Sequence, residues 1–556
     1  MDPAFLLTPV GLSLPHRSKQ LSINIKPRWI VMNKSKGNGT GSHHASKKKM
    51  RDVSINAAAA ELKHVPEAKK SAPAVNQVAV NEAATSPPPT SSQSSIPASF
   101  FIGQGPDSEL SLMDSVNKRK EMARKEPVSI IVLGASGDLA KKKTFPALFS
   151  LFYHDLLPSN FRIIGYARSP MSDDEFREMI MGTLKCRVLD GAKCAAKMDA
   201  FLPKCHYQSG AYDSDEAMGA LSTSLKSFED SHGIANRLYY FAIPPSVFEP
   251  VSHTIHRAGR ASKGWTRLVV EKPFGRDLAS YQKLQQSLSS VFHEDEIYRI
   301  DHYLGKELVQ NMMTLRFANS VFEPMWNRDY VQSVQITFKE PFGVEGRAGY
   351  FNDIGIVRDI MQNHLLQVLA LTAMEAPVSL HSEDIRNEKV KLLRTIQPLT
   401  LNDFVLGQYK GNKANKGYLE DEGVPPNSRT PTFAACAFKI NNRRWDGVPF
   451  LMKAGKALDE RKAEIRIIFK PVPGDIFHAP NIVKNNELVI RVQPDEAIYL
   501  KIVSKVPGLT SRLEEARLNL FYRTAWEESM DIPDAYERLI LDVIQGEKSL
   551  FIRDDE

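Results

Sequence analysis

Short apolar runs rich in Val, Ile and Leu recur through the middle of the chain, each followed by glycine, proline or a charged turn. Val128-Ser-Ile-Ile-Val-Leu133, Phe161-Arg-Ile-Ile-Gly-Tyr166, Arg237-Leu-Tyr-Tyr-Phe-Ala-Ile243 and Thr266-Arg-Leu-Val-Val270 lack the polar alternation of a half-exposed strand. Such runs suit parallel strands covered on both faces. Beyond residue 330 the pattern changes. Val331-Gln-Ser-Val-Gln-Ile-Thr-Phe338 alternates, and the stretches 433–440, 463–469, 487–492 and 497–502 resemble it. This predicts a large, mostly antiparallel sheet with helices packed on it. The expected architecture is an α/β Rossmann-like domain over residues 127–300, then an α+β domain over 301–556.

The front of the chain carries no such pattern. Residues 1–50 hold nine Lys/Arg against the single acid Asp2, so this segment alone exceeds the net charge of +7 and leaves a near-neutral body. That body is not a general polyanion binder, and no nucleic-acid role is expected. A basic, hydroxyl-rich, acid-poor leader has the composition of an organelle transit peptide. Residues 51–126, with Ala57-Ala-Ala-Ala60 and the Pro/Ser-rich stretch 86–95, bury too little to offset chain ordering and read as a linker. No apolar run is long enough to span a membrane. Four cysteines are too few for a disulfide-built scaffold.

Candidate chemistry falls at the ends of the predicted strands. Gly134-Ala-Ser-Gly137-Asp-Leu-Ala140 sits between a strand and a helix, the position of a dinucleotide-binding turn. Arg168 follows the next strand, where an arginine suits the 2′-phosphate of NADP and an acid would suit NAD. Lys272 ends another strand and so points into the cofactor crevice, and Pro273 behind it is a candidate cis bond. In Arg299-Ile-Asp-His-Tyr-Leu-Gly-Lys-Glu307 a helix is expected from Asp301 as N-cap, with Leu304, Leu308, Met312 and Leu315 on its buried face. His302, Tyr303 and Lys306 would then form a phosphate seat at its positive end. Glu340 ends a strand of the second domain. Asp359 is expected to orient His364 as a general base. Five residues put the two about 140° apart on a regular helix, so a π-bulge or irregular turn is needed to join them. Cys186 and Cys194, with seven residues between, can close a switchable disulfide, and unremarkable loop thiols are the equal alternative.

Taken together, these strings resemble glucose-6-phosphate dehydrogenases from about Pro127 to Glu556. The nine residues from Arg299, Glu271-Lys-Pro-Phe-Gly275, Arg358-Asp-Ile-Met-Gln-Asn-His364 and Arg444-Trp-Asp-Gly-Val-Pro-Phe450 are the most specific. The resemblance implies oxidation of glucose 6-phosphate at C1 to 6-phosphogluconolactone, with hydride passing to NADP⁺. It implies His364 as base, oriented by Asp359. His302, Tyr303, Lys306 and Arg461 would hold the substrate phosphate, and Lys272, Glu340, Asp359 and Lys456 the sugar. Gly134, Ser136, Gly137, Asp138, Lys143, Arg168 and Lys272 would bind coenzyme, with no metal. It further implies a homodimer or homotetramer. Some eukaryotic members bind a second, structural NADP, for which Lys462, Arg466, Arg491, Tyr499 and Lys501 match. The leader and the cysteine loop resemble plant plastid forms, which implies a chloroplast location and a thioredoxin-responsive pair Cys186–Cys194. Family members continue beyond the string that ends at Glu556, and Ala348 stands where a glycine is usual. These departures support an alternative, a weak homologue that works as partner of an active isoform.

Overall fold

The computed structural model describes residues 29–33, 121, 125–184, 191–412, 415–477, 485–525 and 532–556. β1 (Trp29–Asn33) is followed by β2 (Val128–Leu133), β3 (Phe161–Ala167), β4 (Cys205–Ser209), β5 (Asn236–Phe241), β6 (Thr266–Val270) and β7 (Ile297–Ile300). β2 to β7 form one parallel sheet in the order β7-β6-β5-β2-β3-β4. Every residue of β2 and β5 is buried, as an apolar run between two helical layers requires. The sheet separates two apolar cores. One contains Phe145, Leu148, Phe176 and Phe201, the other Met218, Leu221, Phe248 and Val251.

The second sheet contains β8 (Val331–Lys339), β9 (Phe404–Lys410), β10 (Phe433–Phe438), β11 (Phe450–Gly455), β12 (Lys462–Phe469), β13 (Glu487–Gln493), β14 (Ala497–Lys505) and β15 (Leu513–Phe521). Their order is β9-β10-β11-β8-β12-β13-β14-β15, antiparallel except for β11 beside β8. β1 adds a parallel strand beside β9, so five residues of the expected leader pair with this domain. The expected linker lies outside the described residues except for 121, 125 and 126.

One domain expectation is corrected. The chain does not stay in the second domain after residue 301. The helix Ala535–Gln545 buries Tyr536, Leu539, Ile540 and Val543 in the core of the first domain. β16 (Phe551–Ile552) then pairs antiparallel with β7 and closes the edge of the parallel sheet. The apolar stripe of that helix has to be covered somewhere, and the exposed face of the Rossmann layer covers it. Ala348 opens the helix Ala348–Ile356 and is absent from the non-glycine residues with positive φ, so alanine in place of the usual glycine brings no backbone strain.

Candidate active site

Sheet register alone brings most of the site together. Parallel strands of one sheet end in Gly134 after β2, Glu271-Lys272 after β6 and Asp301-His302 after β7, with β5 between β2 and β6. In the second domain β8 and β11 run side by side, with Lys339 opposite Gly455. The next residues, Glu340 and Lys456, are therefore neighbours, and Lys456 Nζ lies 2.6 Å from Glu340 Oε2. β12 lies antiparallel to β8 with Lys462 opposite Lys339, which sets Arg461 at the same end. A cavity of about 1670 Å³ joins these strand ends, and Lys143, Lys272, His302, Tyr303, Lys306, Glu340, Asp359, His364, Lys456 and Arg461 all line it.

His364 lies on a π-helical stretch, Val357–Leu365. Gly355, at φ 71°, breaks the preceding helix and lets the chain enter this wider turn. The irregularity required by the Asp359–His364 spacing is thus present, and both residues face the cavity. The pairing is different from the one expected. His364 Nδ1 hydrogen-bonds Oδ1 of Asp301, with both side chains almost fully buried. Asp359 instead lies 3.6 Å from Lys272 Nζ and 3.7 Å from Lys456 Nζ, and its backbone carbonyl accepts from Lys272 at 2.6 Å. Asp301, not Asp359, orients the imidazole. Burial would raise the Asp301 carboxyl, but the His364 ring, with His302 and Lys272, brings it down to about 2. Burial and Lys272 hold His364 below the ordinary histidine range against the opposing Asp301 charge. A neutral ring with Nδ1–H on Asp301 leaves Nε2 free to accept a proton.

The expected helix start is also corrected. Residues 301–306 form successive turns, and the helix runs Glu307–Phe317 behind Lys306. Asp301 Oδ1 still accepts from the Tyr303 amide, at 3.0 Å, but it caps a turn and not a helix. Gly305 packs so closely that a Cβ there would sit 2.6 Å from the Ala535 carbonyl oxygen. His302, Tyr303 and Lys306 converge even so. The Tyr303 ring stacks on His364 at 4.6 Å, and its buried Oη has no hydrogen-bond partner among the described residues. His302 lies 4.5 Å edge-on to His364 and stacks on Tyr536 at 5.8 Å. Burial first, and then the neighbouring His364 ring, push the His302 imidazole well down. Lys306 Nζ donates to Gln493 at 3.0 Å. An orphaned phenol beside an ammonium and Arg461 can satisfy an oxyanion.

At the other end, Gly134 has φ 81°, and a Cβ there would run into the Ala242 carbonyl, so only glycine lets the turn lie this close to β5. Gly137 donates to Gly134 O at 2.9 Å, which leaves a short turn with an open face. Lys143 pairs with Asp534 at 3.2 Å. Arg168, exposed after β3, lies 6.0 Å over the Tyr212 ring. These residues fit a dinucleotide. The Lys272–Pro273 peptide is cis. Cys194 is disulfide-bonded, Cys205 and Cys436 are free buried thiols, and Cys186 lies outside the described residues. Lys462, Arg466 and Lys501 are half-buried on one face of the second sheet, with Glu460, Glu464 and Glu487 as partners. Sequence reasoning missed Asp534 and Tyr536 as lining or stacking residues, because nothing local announces a contact made by a segment hundreds of residues away; it also missed Tyr212 beside Arg168.

A glycine-rich turn and a histidine–aspartate pair meeting at a domain junction define a two-domain nicotinamide-dependent dehydrogenase. The sequence matches the family model described as glucose-6-phosphate dehydrogenase, NAD binding domain, over residues 131–311, and that of the C-terminal domain over 313–556. The chain belongs to the glucose-6-phosphate dehydrogenase family. It is 56% identical over 461 residues to the chloroplastic glucose-6-phosphate 1-dehydrogenase of Spinacia oleracea, covering 81% of this chain and 79% of that one. It is 57% identical over 437 residues to the chloroplastic isoform 1 of Arabidopsis thaliana, covering 77% and 75%. A solved glucose-6-phosphate dehydrogenase in complex with glucose 6-phosphate superposes with a TM-score of 0.74 at 48% identity, covering 78% of this chain and 89% of that one.

Proposed function

We propose that this protein oxidises glucose 6-phosphate at C1 to 6-phosphogluconolactone with NADP⁺, in the plastid. The observation that carries the reading is the buried Asp301–His364 pair at the wall of a cavity open to both domains. NADP⁺, when bound, supplies the oxidant for C1. The turn Gly134, Ser136, Gly137 and Asp138, with Lys143 and Lys272, would hold it, and Arg168 would hold its 2′-phosphate. His302, Tyr303, Lys306 and Arg461 bind the sugar phosphate. Lys272, Asp359, Lys456 and Glu340 form a run of alternating charge whose ammonium groups donate to sugar hydroxyls and whose carboxylates accept from them. That grip aligns C1 and leaves its hydroxyl to His364 Nε2. As the proton arrives, the imidazolium forms beside an aspartate already ionised, so no charge has to be desolvated during the step.

Plant relatives at 56–57% identity carry chloroplastic names, and the basic leader agrees with that compartment. The disulfide-bonded Cys194 lies on the helix Gly191–Phe201, whose Phe201 packs 5.4 Å from Phe149 of the helix that follows the glycine-rich turn. This supports Cys186–Cys194 as a thioredoxin-reducible pair coupled to the coenzyme site, and Cys186→Ser should erase any difference between oxidised and reduced activity. Assembly as a homodimer or homotetramer, or with another isoform, is the expected quaternary form. Purified protein should reduce NADP⁺ only with glucose 6-phosphate. Arg168→Ala should raise KM for NADP⁺ roughly tenfold and leave any rate with NAD⁺ unchanged. Absence of turnover by folded, NADP⁺-binding protein would overturn the proposal.

A further inference from the structure

The string Gly346-Arg-Ala-Gly-Tyr-Phe351 has no part in the proton relay or the sugar grip. It opens as a turn, with the Arg347 amide donating to Val344 O at 2.8 Å and Gly346 at φ 74°, and the helix Ala348–Ile356 begins directly after. Arg347 is exposed on the second domain, and it lines the cavity with Glu345 and Tyr350. Leu139 and Lys143, from the element that follows the glycine-rich turn, line the same cavity. The Arg347 guanidinium is close enough to the Asp138 carboxylate to add to the lowering that Lys142 causes. It therefore stands across the cleft from the turn Gly134–Asp138. Among the described residues its side chain makes no hydrogen bond or ion pair.

We propose that Arg347 binds the diphosphate of the dinucleotide from the second domain, opposite the Rossmann turn. The inference rests on the NADP⁺ reading above and adds a contact from the far wall. A glycine-rich turn offers backbone N–H groups and a helix dipole on one side of a diphosphate. The other side remains a dianion facing the cleft, and a guanidinium fork matches its paired oxygens. The sugar phosphate does not compete for this role, since its own cations, Lys306 and Arg461, come from the ends of other elements. Coenzyme would then touch both domains, so its affinity depends on their junction.

The test uses the full chain with Arg347→Ala and Arg347→Lys, titrated with NADP⁺ by fluorescence quenching and assayed with both substrates. Adenosine 2′,5′-bisphosphate, which lacks the nicotinamide half, serves as a competing probe. Arg347→Ala should weaken NADP⁺ binding roughly ten- to thirtyfold, with partial recovery in Arg347→Lys. KM for glucose 6-phosphate should stay within about twofold, and inhibition by the bisphosphate within about threefold. Unchanged NADP⁺ affinity in Arg347→Ala would overturn the assignment, as would an equal loss for the bisphosphate or a loss confined to glucose 6-phosphate. If unmutated protein failed to bind NADP⁺, the coenzyme reading itself would fall, a result distinct from any of these.

Discussion

The turn Asp301–Lys306 and the π-helix Val357–Leu365 each carry one aspartate and one histidine, and the fold uses the two pairs in opposite ways. In the turn the acid is buried and bonded to the other segment's ring, while the histidine lines the cavity with Tyr303 and Lys306. In the π-helix the histidine is buried and the acid sits between two lysines. Neither aspartate serves the histidine near it in sequence. The relay is crossed, one half from the end of β7 and the other from the second domain. The geometry of the Asp301–His364 pair therefore depends on how the two domains dock, which a pair within one helix would not.

The largest effect should come from the imidazole itself. His364→Asn should lower kcat/KM by about 10³- to 10⁴-fold, with NADP⁺ binding within roughly threefold of wild type. Lys272→Met should cost about 10²-fold in kcat/KM and also move the pH profile. The base works when neutral, so the rate falls as pH drops through the His364 pKa. Burial and the Lys272 charge hold that pKa low. Loss of the cation raises it, and the acid limb should shift to higher pH in initial-rate profiles. Gly305→Ala sets a Cβ against the Ala535 carbonyl and should pull the turn away from His364, with kcat down roughly tenfold and a lower melting temperature. The smallest effect is expected for Gly355→Ala at the entrance to the π-helix, about 1–2 kcal/mol of stability by chemical denaturation, because its φ is positive but the nearest atom to the added Cβ, Thr430 Cγ2 at 3.2 Å, is a side-chain methyl that can shift.

The parallel sheet was legible because its strands are buried on both faces. Thr266–Val270 was read to the residue. β4 was missed because Cys-His-Tyr-Gln-Ser carries almost no apolar signal at a sheet edge, and β15 because Glu514, Glu515 and Arg517 break its apolar pattern and the strand is largely exposed. β16 has only two residues, and its pairing depends on the chain returning over 250 positions later. The convergence of Lys272, His302, Lys306, Glu340, Lys456 and Arg461 was anticipated from the family resemblance, and strand register accounts for it. The helix expected from Asp301 failed because a leucine stripe fixes which residues are buried and not where helical hydrogen bonding begins. Close packing of Gly305 and the demand of His364 on Asp301 override the local preference. The choice between Asp301 and Asp359 was out of reach, since spacing arguments compare residues within one element and this pair is 63 positions apart.

The most direct measurement is kcat for Asp301→Asn and Asp359→Asn, side by side at saturating glucose 6-phosphate and NADP⁺. The crossed relay predicts a loss on the order of 10³-fold for Asp301→Asn, while Asp359→Asn keeps kcat within roughly tenfold and shows its effect in KM for the sugar phosphate. A larger loss of kcat in Asp359→Asn than in Asp301→Asn would contradict it.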